Sequence, residues 1–272
     1  MVSTFLYGAN LHANGIRQHY LRYGGKGRPV VLVPGITSPA VTWGFVAERF
    51  GRAFDTYVID VRGRGLSEAS NALDYGLDAC AADIGGFAAT LGLEGYALVG
   101  HSMGARIGIR TARHHGQGLE RLVLVDPPVS GPNRRPYPAQ LDWYVDSIRL
   151  MLRGGGPDAL RPFSPTWTEA QLRLRSEWLH TCDERAVRAM YTSFHDDDIH
   201  ADLAHVAVPT LLMLAGRGDV IRAEDLDEIR TLLPAVEVAR VPGAGHMIPW
   251  DDEEGFYRAF GSFLGAPLAP AA

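Results

Sequence analysis

The chain has 272 residues, of which 46% are hydrophobic, and its 26 basic and 31 acidic residues give a formal net charge of -5. This length suffices for one large core and is short for two full-sized domains with linkers, so we expect one domain carrying an insertion. The acidic balance argues against nucleic acid or an anionic membrane as a partner. We therefore expect the partner to be a small molecule.

The cysteine pattern and the N-terminal segment limit the compartment. Cys80 and Cys182 have neither metal-ligand spacing nor the spacing of a disulfide framework, which favours a reducing environment without a zinc site. The N-terminal 15 residues lack a basic segment followed by a long apolar run. No other stretch is apolar for the length of a membrane span. We expect a cytoplasmic protein.

Short apolar runs and turn signals predict a largely parallel sheet. Asn14-Gly15, between two alternating segments, predicts a hairpin. Continuous runs of Val, Leu and Ile suit strands that are buried on both faces. They begin at Val30, Thr56, Tyr96, Arg121 and Thr210, and a last strand covers 236–243. Helix-like stretches at 78–92, 104–115 and about 251–264 complete an α/β fold with a mostly parallel eight-stranded sheet and helices on both faces.

A long interruption separates the sixth and seventh predicted strands. Between Asp126 and Pro209 the sequence is helix-like or Pro-rich and carries Trp143, Trp167 and Trp178. We interpret residues 129–208 as a helical cap on a core formed by 1–128 and 209–272. Large aromatic residues serve mainly as core, but we expect some of these tryptophans to face a substrate.

A serine lies at a glycine-flanked turn after the third parallel strand. Gly100-His101-Ser102-Met103-Gly104 matches the G-x-S-x-G pattern, in which a strained strand-to-helix turn presents a nucleophilic serine. The preceding strand and the following helix supply the setting that the motif requires. The N–H of Met103 at the helix start, and that of Ile36 after Pro34-Gly35, are expected to bind the oxyanion.

A serine nucleophile needs a base, and His246 is the best candidate of ten histidines. It follows the flexible Gly243-Ala244-Gly245 segment after the last strand, which gives the chain order of serine, acid and histidine. His101 is expected to pack beneath the turn. Two acids could orient His246, since Asp126 follows the sixth strand and Asp219 the seventh, and spacing alone does not choose between them.

The motifs together resemble the α/β-hydrolase superfamily. The segment Asp60-Val61-Arg62-Gly63-Arg64-Gly65-Leu66-Ser67 is similar to its D-x-R-G-x-G-x-S loop, for which we expect a structural role. Longer strings, including the cap, resemble the N-formylmaleamate deformylases of aerobic nicotinate degradation. These strings are NGIRQHYLRYGGKG, VPGITSPA, TWGFVAERF, GHSMGAR, RLVLVDPPVSGP, WYVDSIR, EWLHTC and AGHMIPWDD. The resemblance covers about residues 11 to 265.

This resemblance implies a triad of Ser102, Asp126 and His246. It also implies attack of Ser102 on the formyl carbon of a small anionic imide and protonation of the departing nitrogen by His246, without a metal or other cofactor. The substrate carboxylate needs a cation or several donors. We expect Arg149, together with Trp143 and Tyr144 of the cap, to bind the substrate.

Other functions on the same scaffold stay open at this point. The nearest are hydrolysis of a carbon–carbon bond in a ring-cleavage product and hydrolysis of an ester or lactone. From other classes, a ligand-binding receptor and a cofactor-free oxygenase are compatible with the fold. The sequence indicates no oligomeric state.

Overall fold

The computed structural model describes residues 2–268, which form an eight-stranded sheet with helices on both faces. The strand order is β1-β2-β4-β3-β5-β6-β7-β8, and β3 to β8 run parallel while β1 and β2 are antiparallel. The strands are β1 Phe5–Ala13, β2 Ile16–Tyr23, β3 Pro29–Val33, β4 Asp55–Ile59, β5 Tyr96–His101, β6 Leu119–Val125, β7 Thr210–Ala215 and β8 Glu237–Val241. The predicted fold class is confirmed.

The predicted hairpin joins the first two strands. Ala13 pairs with Ile16 across a two-residue turn in which Asn14 and Gly15 both have positive φ. Asparagine and glycine are the residues that tolerate this conformation, and the turn matches the twist of the strands. The hairpin lies at one edge of the sheet and leaves the parallel strands to build the site.

The parallel strands are buried on both faces, as their unbroken apolar sequences predict. Along β3, Val31 and Val33 belong to one buried cluster, whereas Val30 and Leu32 belong to the other. This alternation follows from the two-residue period of a strand. The helices on the two faces enclose both clusters.

Within residues 2–268, eleven helices surround the sheet. Apolar residues of α2, α3 and α9 join the first cluster, and those of α1 and α11 join the second. The helices are α1 Gly44–Phe50, α2 Leu77–Thr90, α3 Met103–His114, α4 Leu141–Leu152, α5 Pro157–Leu160, α6 Glu169–Trp178, α7 Glu184–Asp196, α8 Ile199–Leu203, α9 Ala223–Leu232, α10 Ile248–Asp251 and α11 Glu253–Ala259. Short 3₁₀ turns lie at Ala40–Trp43 and Leu179–Thr181.

The region between β6 and β7 is helical in the structure. It contains α4 to α8, and it joins the first buried cluster through residues such as Ile148, Leu172 and Phe194. These helices occupy the interval in which the sequence predicts a cap. The exact limits of that cap, 129–208, stay a prediction.

The C-terminal helix is shorter than the range of about 251–264 that the sequence predicts. Asp252 caps its start by accepting a hydrogen bond from the Gly255 N–H at 2.9 Å, so α11 begins at Glu253. Beyond Ala259 the chain leaves the helix, and Gly261 adopts a φ of 50°. A left-handed glycine is a common helix stop, which accounts for the missing last turn.

Two further features bear on the environment. Within residues 2–268 no helix has both the length and the apolar character needed to cross a membrane. Cys80 and Cys182 are buried free thiols. Burial raises the pKa of each thiol to about 12.

Candidate active site

Ser102 occupies the sharp turn between β5 and α3. Its backbone has φ 53° and ψ -116°, a conformation that costs a non-glycine residue about 1–3 kcal/mol. The Ser102 N–H donates to the Val125 carbonyl at 2.9 Å, which extends the β5–β6 ladder to the turn itself. The sheet thus holds the serine in a strained conformation at the carboxyl edge of the parallel strands.

Two glycines make this turn sterically accessible. A Cβ at Gly104 would lie 1.9 Å from the Val33 carbonyl oxygen, and a Cβ at Gly100 would lie 2.2 Å from the Gly104 oxygen. These neighbours are backbone atoms, which cannot rotate away as a flexible side chain would. The G-x-S-x-G spacing therefore has a packing reason in this chain, since helix α3 starts in direct contact with β3 and β5.

His246 lies between a hydroxyl and a carboxylate. Its Nε2 is 3.0 Å from Ser102 Oγ, and its Nδ1 is 2.7 Å from Asp126 Oδ2. The Asp126 side chain is 2% exposed and that of His246 is 23% exposed. An ionised carboxylate accepts hydrogen bonds, so Asp126 fixes the proton on Nδ1 and leaves a lone pair on Nε2 facing Ser102.

The structure brings Asp126, and not Asp219, to His246. Asp219 lies on the rim of the cavity, where both its oxygens accept from Arg222 at 2.7 and 2.8 Å. That pairing lowers the pKa of the Asp219 carboxyl. Asp126 directly follows β6 and has a φ of 48°. Its other carboxylate oxygen, Oδ1, accepts from the Ala215 N–H at 3.4 Å.

His101 supports the histidine loop from below. Its Nε2 lies 2.9 Å from the His246 carbonyl oxygen, and its ring packs against those of Trp43 and Trp250. The pKa of His101 is lowered to about 3, mainly by burial and to a smaller extent by the nearby His246. The neutral ring therefore donates its Nε2–H to that carbonyl. The expected packing position beneath the turn is thus combined with a hydrogen bond.

Two backbone amides close to Ser102 are candidates for the expected oxyanion donors. The N–H groups of Met103, the first residue of α3, and of Ile36, after β3, donate to no backbone carbonyl within residues 2–268. Ile36 lines the cavity beside Ser102. Free N–H groups at a helix start and in a neighbouring turn are the type of donor that stabilises an oxyanion.

The D-x-R-G-x-G-x-S segment braces the Ile36 turn. Arg64, which is 1% exposed, donates from Nε to the Ile36 carbonyl oxygen at 3.2 Å. Asp60 accepts from the Ala40 N–H at 2.6 Å and from the Leu66 N–H at 3.0 Å. These contacts give the segment the structural role that the sequence predicts, and they fix the orientation of the Ile36 peptide.

A cavity of about 570 Å³ opens above Ser102 and His246. Tyr137, Trp143, Tyr144, Trp167 and Arg175 line it from the region between β6 and β7, together with residues of the β3 turn. Two of these, Trp143 and Tyr144, were expected at the substrate from the sequence. The walls are mainly apolar and aromatic, as is common for small-molecule sites.

Arg149, which the sequence suggested for the substrate carboxylate, is not among the residues that line the cavity. Arg149 points away from the cavity and pairs with Glu184 through two hydrogen bonds of 2.8 and 2.9 Å. Its side chain is 46% exposed. On α4 the arginine occupies the solvent face, whereas Tyr144 lies on the buried face.

Arg175 of α6 is the arginine that lines the cavity among the described residues. It is 6% exposed, and it donates to the hydroxyl and carbonyl oxygens of Thr37 at 3.0 and 3.4 Å. Its guanidinium lies 5.6 Å from the centre of the Trp167 ring. Among the described residues its hydrogen-bond acceptors are the two Thr37 oxygens and no carboxylate, and burial lowers its pKa. A buried cation without a paired anion is suited to an anionic ligand.

Arg175 and Tyr137 are two of the lining residues that the sequence analysis did not identify. Arg175 lies three residues after Leu172 and four before Leu179, and both leucines are buried. That spacing places the arginine on the apolar face of the helix, which is a usable signal. Tyr137 lies in the Pro-rich loop before α4, where no periodic pattern marks its orientation.

The residues matched by a family model include all of the site loops. Residues 30–259 match the model described as the alpha/beta hydrolase family. The chain belongs to this family. The expected resemblance to the superfamily is therefore confirmed over most of the sequence.

Two proteins are much more similar to this chain than the family model requires. The chain is 62% identical to N-formylmaleamate deformylase of Pseudomonas putida over 98% of this chain and 100% of the relative. A crystal structure of a serine-to-alanine variant of N-formylmaleamic acid deformylase, from another strain of that species, matches with a TM-score of 0.91 and 54% identity. It covers 94% of this chain and 100% of that chain. The resemblance of this chain to the deformylases is confirmed.

A more distant structure supports the fold alone. E-2-(acetamidomethylene)succinate hydrolase matches with a TM-score of 0.78 and 22% identity, covering 96% of this chain and 100% of that chain. Proteins with this level of identity on one scaffold differ in their reactions.

Proposed function

We propose that the protein hydrolyses the formyl C–N bond of N-formylmaleamate and releases formate and maleamate. The observation that carries this proposal is the 62% identity to a deformylase of that name along the full length of the relative. The cavity supports it independently, because a nucleophile, a base and a buried cation all face one enclosed space. The cytoplasmic location expected from the sequence stays a prediction.

The first half of the reaction forms a formyl-enzyme. Ser102 Oγ attacks the formyl carbon while His246 Nε2, at 3.0 Å, accepts the hydroxyl proton. Asp126 stabilises the imidazolium through the 2.7 Å contact to Nδ1. The amides of Ile36 and Met103 bind the oxyanion. The tetrahedral intermediate then collapses, the C–N bond breaks, and the proton that His246 took from Ser102 passes to the departing nitrogen. The leaving nitrogen belongs to an imide, so it departs more readily than that of a simple amide.

The second half regenerates the serine. After maleamate leaves, His246 is neutral again and activates a water at the formyl carbon, and the same two amides bind the second oxyanion. Formate then departs as Ser102 regains its proton. The nucleophile, the base and the oxyanion donors of both halves are groups that the core supplies.

Arg175 is the cation that binds the carboxylate of the substrate. A carboxylate transferred from water into an apolar cavity needs charged hydrogen-bond donors. Arg175 lines the cavity, is buried, and donates to Thr37 rather than to an acidic residue among the described residues. Its stacking on Trp167 and its bonds to Thr37 hold the guanidinium in place. It therefore replaces Arg149 in the proposal.

A stoichiometric assay tests the proposed reaction. Purified protein is given N-formylmaleamate, and formate and maleamate are quantified over time. We expect equal amounts of both products, a kcat/KM well above that for p-nitrophenyl acetate, and about 10⁴-fold or greater loss in Ser102→Ala. Ser147→Ala, a buried serine of α4 that does not line the cavity, serves as the matched control. Formate release absent in the wild type would overturn the substrate assignment.

A further inference from the structure

His246 Nε2 has a second hydroxyl partner that the triad does not use. Tyr137 Oη lies 3.2 Å from Nε2, almost as close as Ser102 Oγ at 3.0 Å. Since Asp126 keeps the ring proton on Nδ1, the neutral imidazole has one lone pair at Nε2 for two hydroxyl donors. Tyr137 thus contacts the atom that carries the catalytic proton.

The Tyr137 hydroxyl is held in place from several sides. Tyr144 donates its hydroxyl to the Tyr137 oxygen at 3.2 Å, and both residues line the cavity. The Tyr137 N–H faces His195 Nε2 at 3.3 Å, and its ring packs edge-on to Phe194. Tyr137 is 3% exposed, and this burial raises the pKa of its hydroxyl well above the ordinary value. The phenol therefore stays protonated at neutral pH.

We propose that Tyr137 is a catalytic proton carrier that passes a proton from His246 to the departing nitrogen. The inference rests on the proposed function for its natural substrate. After attack, the Nε2–H of His246 points towards Ser102 Oγ, from which the proton came. A hydroxyl beside Nε2 offers a second route, since it can accept from the imidazolium and donate to the leaving group at once.

The proton balance of the step is complete. As the tetrahedral intermediate collapses, the C–N bond breaks and its electron pair stays on nitrogen. The phenolic proton of Tyr137 moves to this nitrogen, and the Nε2 proton of His246 moves to the Tyr137 oxygen. The imidazole and the phenol end neutral, the nitrogen becomes the amide of maleamate, and Tyr144 stabilises the negative charge that develops on the Tyr137 oxygen during transfer.

Leaving-group dependence separates this role from a structural one. The departing nitrogen of N-formylmaleamate needs a proton, whereas p-nitrophenolate leaves from p-nitrophenyl formate without one. We expect Tyr137→Phe to lower kcat/KM for N-formylmaleamate by about 10- to 100-fold and to change that for p-nitrophenyl formate by less than about threefold. Tyr144→Phe should show a smaller loss with the same selectivity.

Tyr191→Phe is the matched control, because Tyr191 belongs to the same aromatic cluster but its hydroxyl donates to the Ala139 carbonyl. It should leave both rates unchanged. Equal losses on both substrates in Tyr137→Phe, or no loss on either, would overturn the proposal.

The same variants keep the two proposals distinguishable. If the wild type cleaves p-nitrophenyl formate but not N-formylmaleamate, the proposed function fails. Ethyl formate then replaces N-formylmaleamate, because ethoxide also needs a proton to leave. A selective loss on ethyl formate in Tyr137→Phe would still support the relay, and a loss shared with p-nitrophenyl formate would contradict it.

Discussion

The sheet and the helices between β6 and β7 contribute different parts of the site. Ser102, Asp126 and His246 all follow strands of the parallel sheet, and their positions depend on backbone contacts of that sheet. Tyr144 and Arg175 come from helices α4 and α6, and their positions depend on side-chain packing. The triad therefore depends on the sheet, whereas the groups that meet the substrate, including the proton carrier proposed at Tyr137, depend on the region between β6 and β7.

The largest expected effect concerns the acid of the triad. Asp126→Asn should lower kcat by about 10⁴-fold, because an amide at this position favours the wrong histidine tautomer. Asp219→Asn, on the rim of the cavity, should stay within a few-fold of wild type. Steady-state formate release from both variants measures the difference. A dead Asp219→Asn beside an active Asp126→Asn would assign the acid to the other loop.

The next effect tests the packing of the serine turn. Gly104→Ala should destabilise the protein by about 3 kcal/mol, since its Cβ would lie 1.9 Å from the Val33 carbonyl oxygen. Gly156→Ala is the control, because no heavy atom lies within 4 Å of its added Cβ. Urea unfolding of both variants gives the comparison. Equal stability of the two variants would show that α3 does not need this close contact.

Removing the charge of Arg175 should weaken substrate binding. Arg175→Met should lower kcat/KM for N-formylmaleamate by about 10- to 100-fold, mainly through KM, because a charged hydrogen bond is lost. N-formylcrotonamide, which lacks the carboxylate, should be processed equally by variant and wild type. Arg149→Met is the exposed control and should change neither substrate. A loss of the same size on both substrates would make Arg175 a structural residue.

The smallest expected effect is a pH dependence of folding stability that comes from buried His101. The pKa of buried His101 is lowered to about 3, so between pH 6.5 and that value the unfolded chain binds a proton that the folded chain does not. Stability therefore falls as the pH falls, by about 1 kcal/mol between pH 6.5 and 5.5 from this residue. His101→Asn should flatten this part of the stability profile, and exposed His205→Asn should not. An unchanged slope in His101→Asn would contradict the assignment.

The part of the site that the sheet supplies could be predicted because its sequence signals are local. Buried strands and the turn around Ser102 are each encoded within a few adjacent residues, and the Asn14-Gly15 hairpin is another such case. The choice between Asp126 and Asp219 was open because it depends on which loop meets His246 in space. Kinship favoured Asp126, and the structure places that residue at the ring.

The site residues between β6 and β7 were predicted less well, for a physical reason. Trp143 and Tyr144 line the cavity whereas Arg149 does not, because Tyr144 and Arg149 are five residues apart on one helix and lie on different faces of it. Arg175 was identifiable from its place between Leu172 and Leu179. Tyr137 was not, because the direction of a loop side chain is set by distant partners such as Phe194.

In the proposed mechanism Ser102 carries the formyl group during turnover. Rapid acid quenching of wild type mixed with N-formylmaleamate, followed by peptide mass spectrometry, detects that intermediate. We expect one added formyl group on the peptide that contains Ser102, absent from Ser102→Ala. Formate release without that adduct, together with undiminished release by Ser102→Ala, would contradict it.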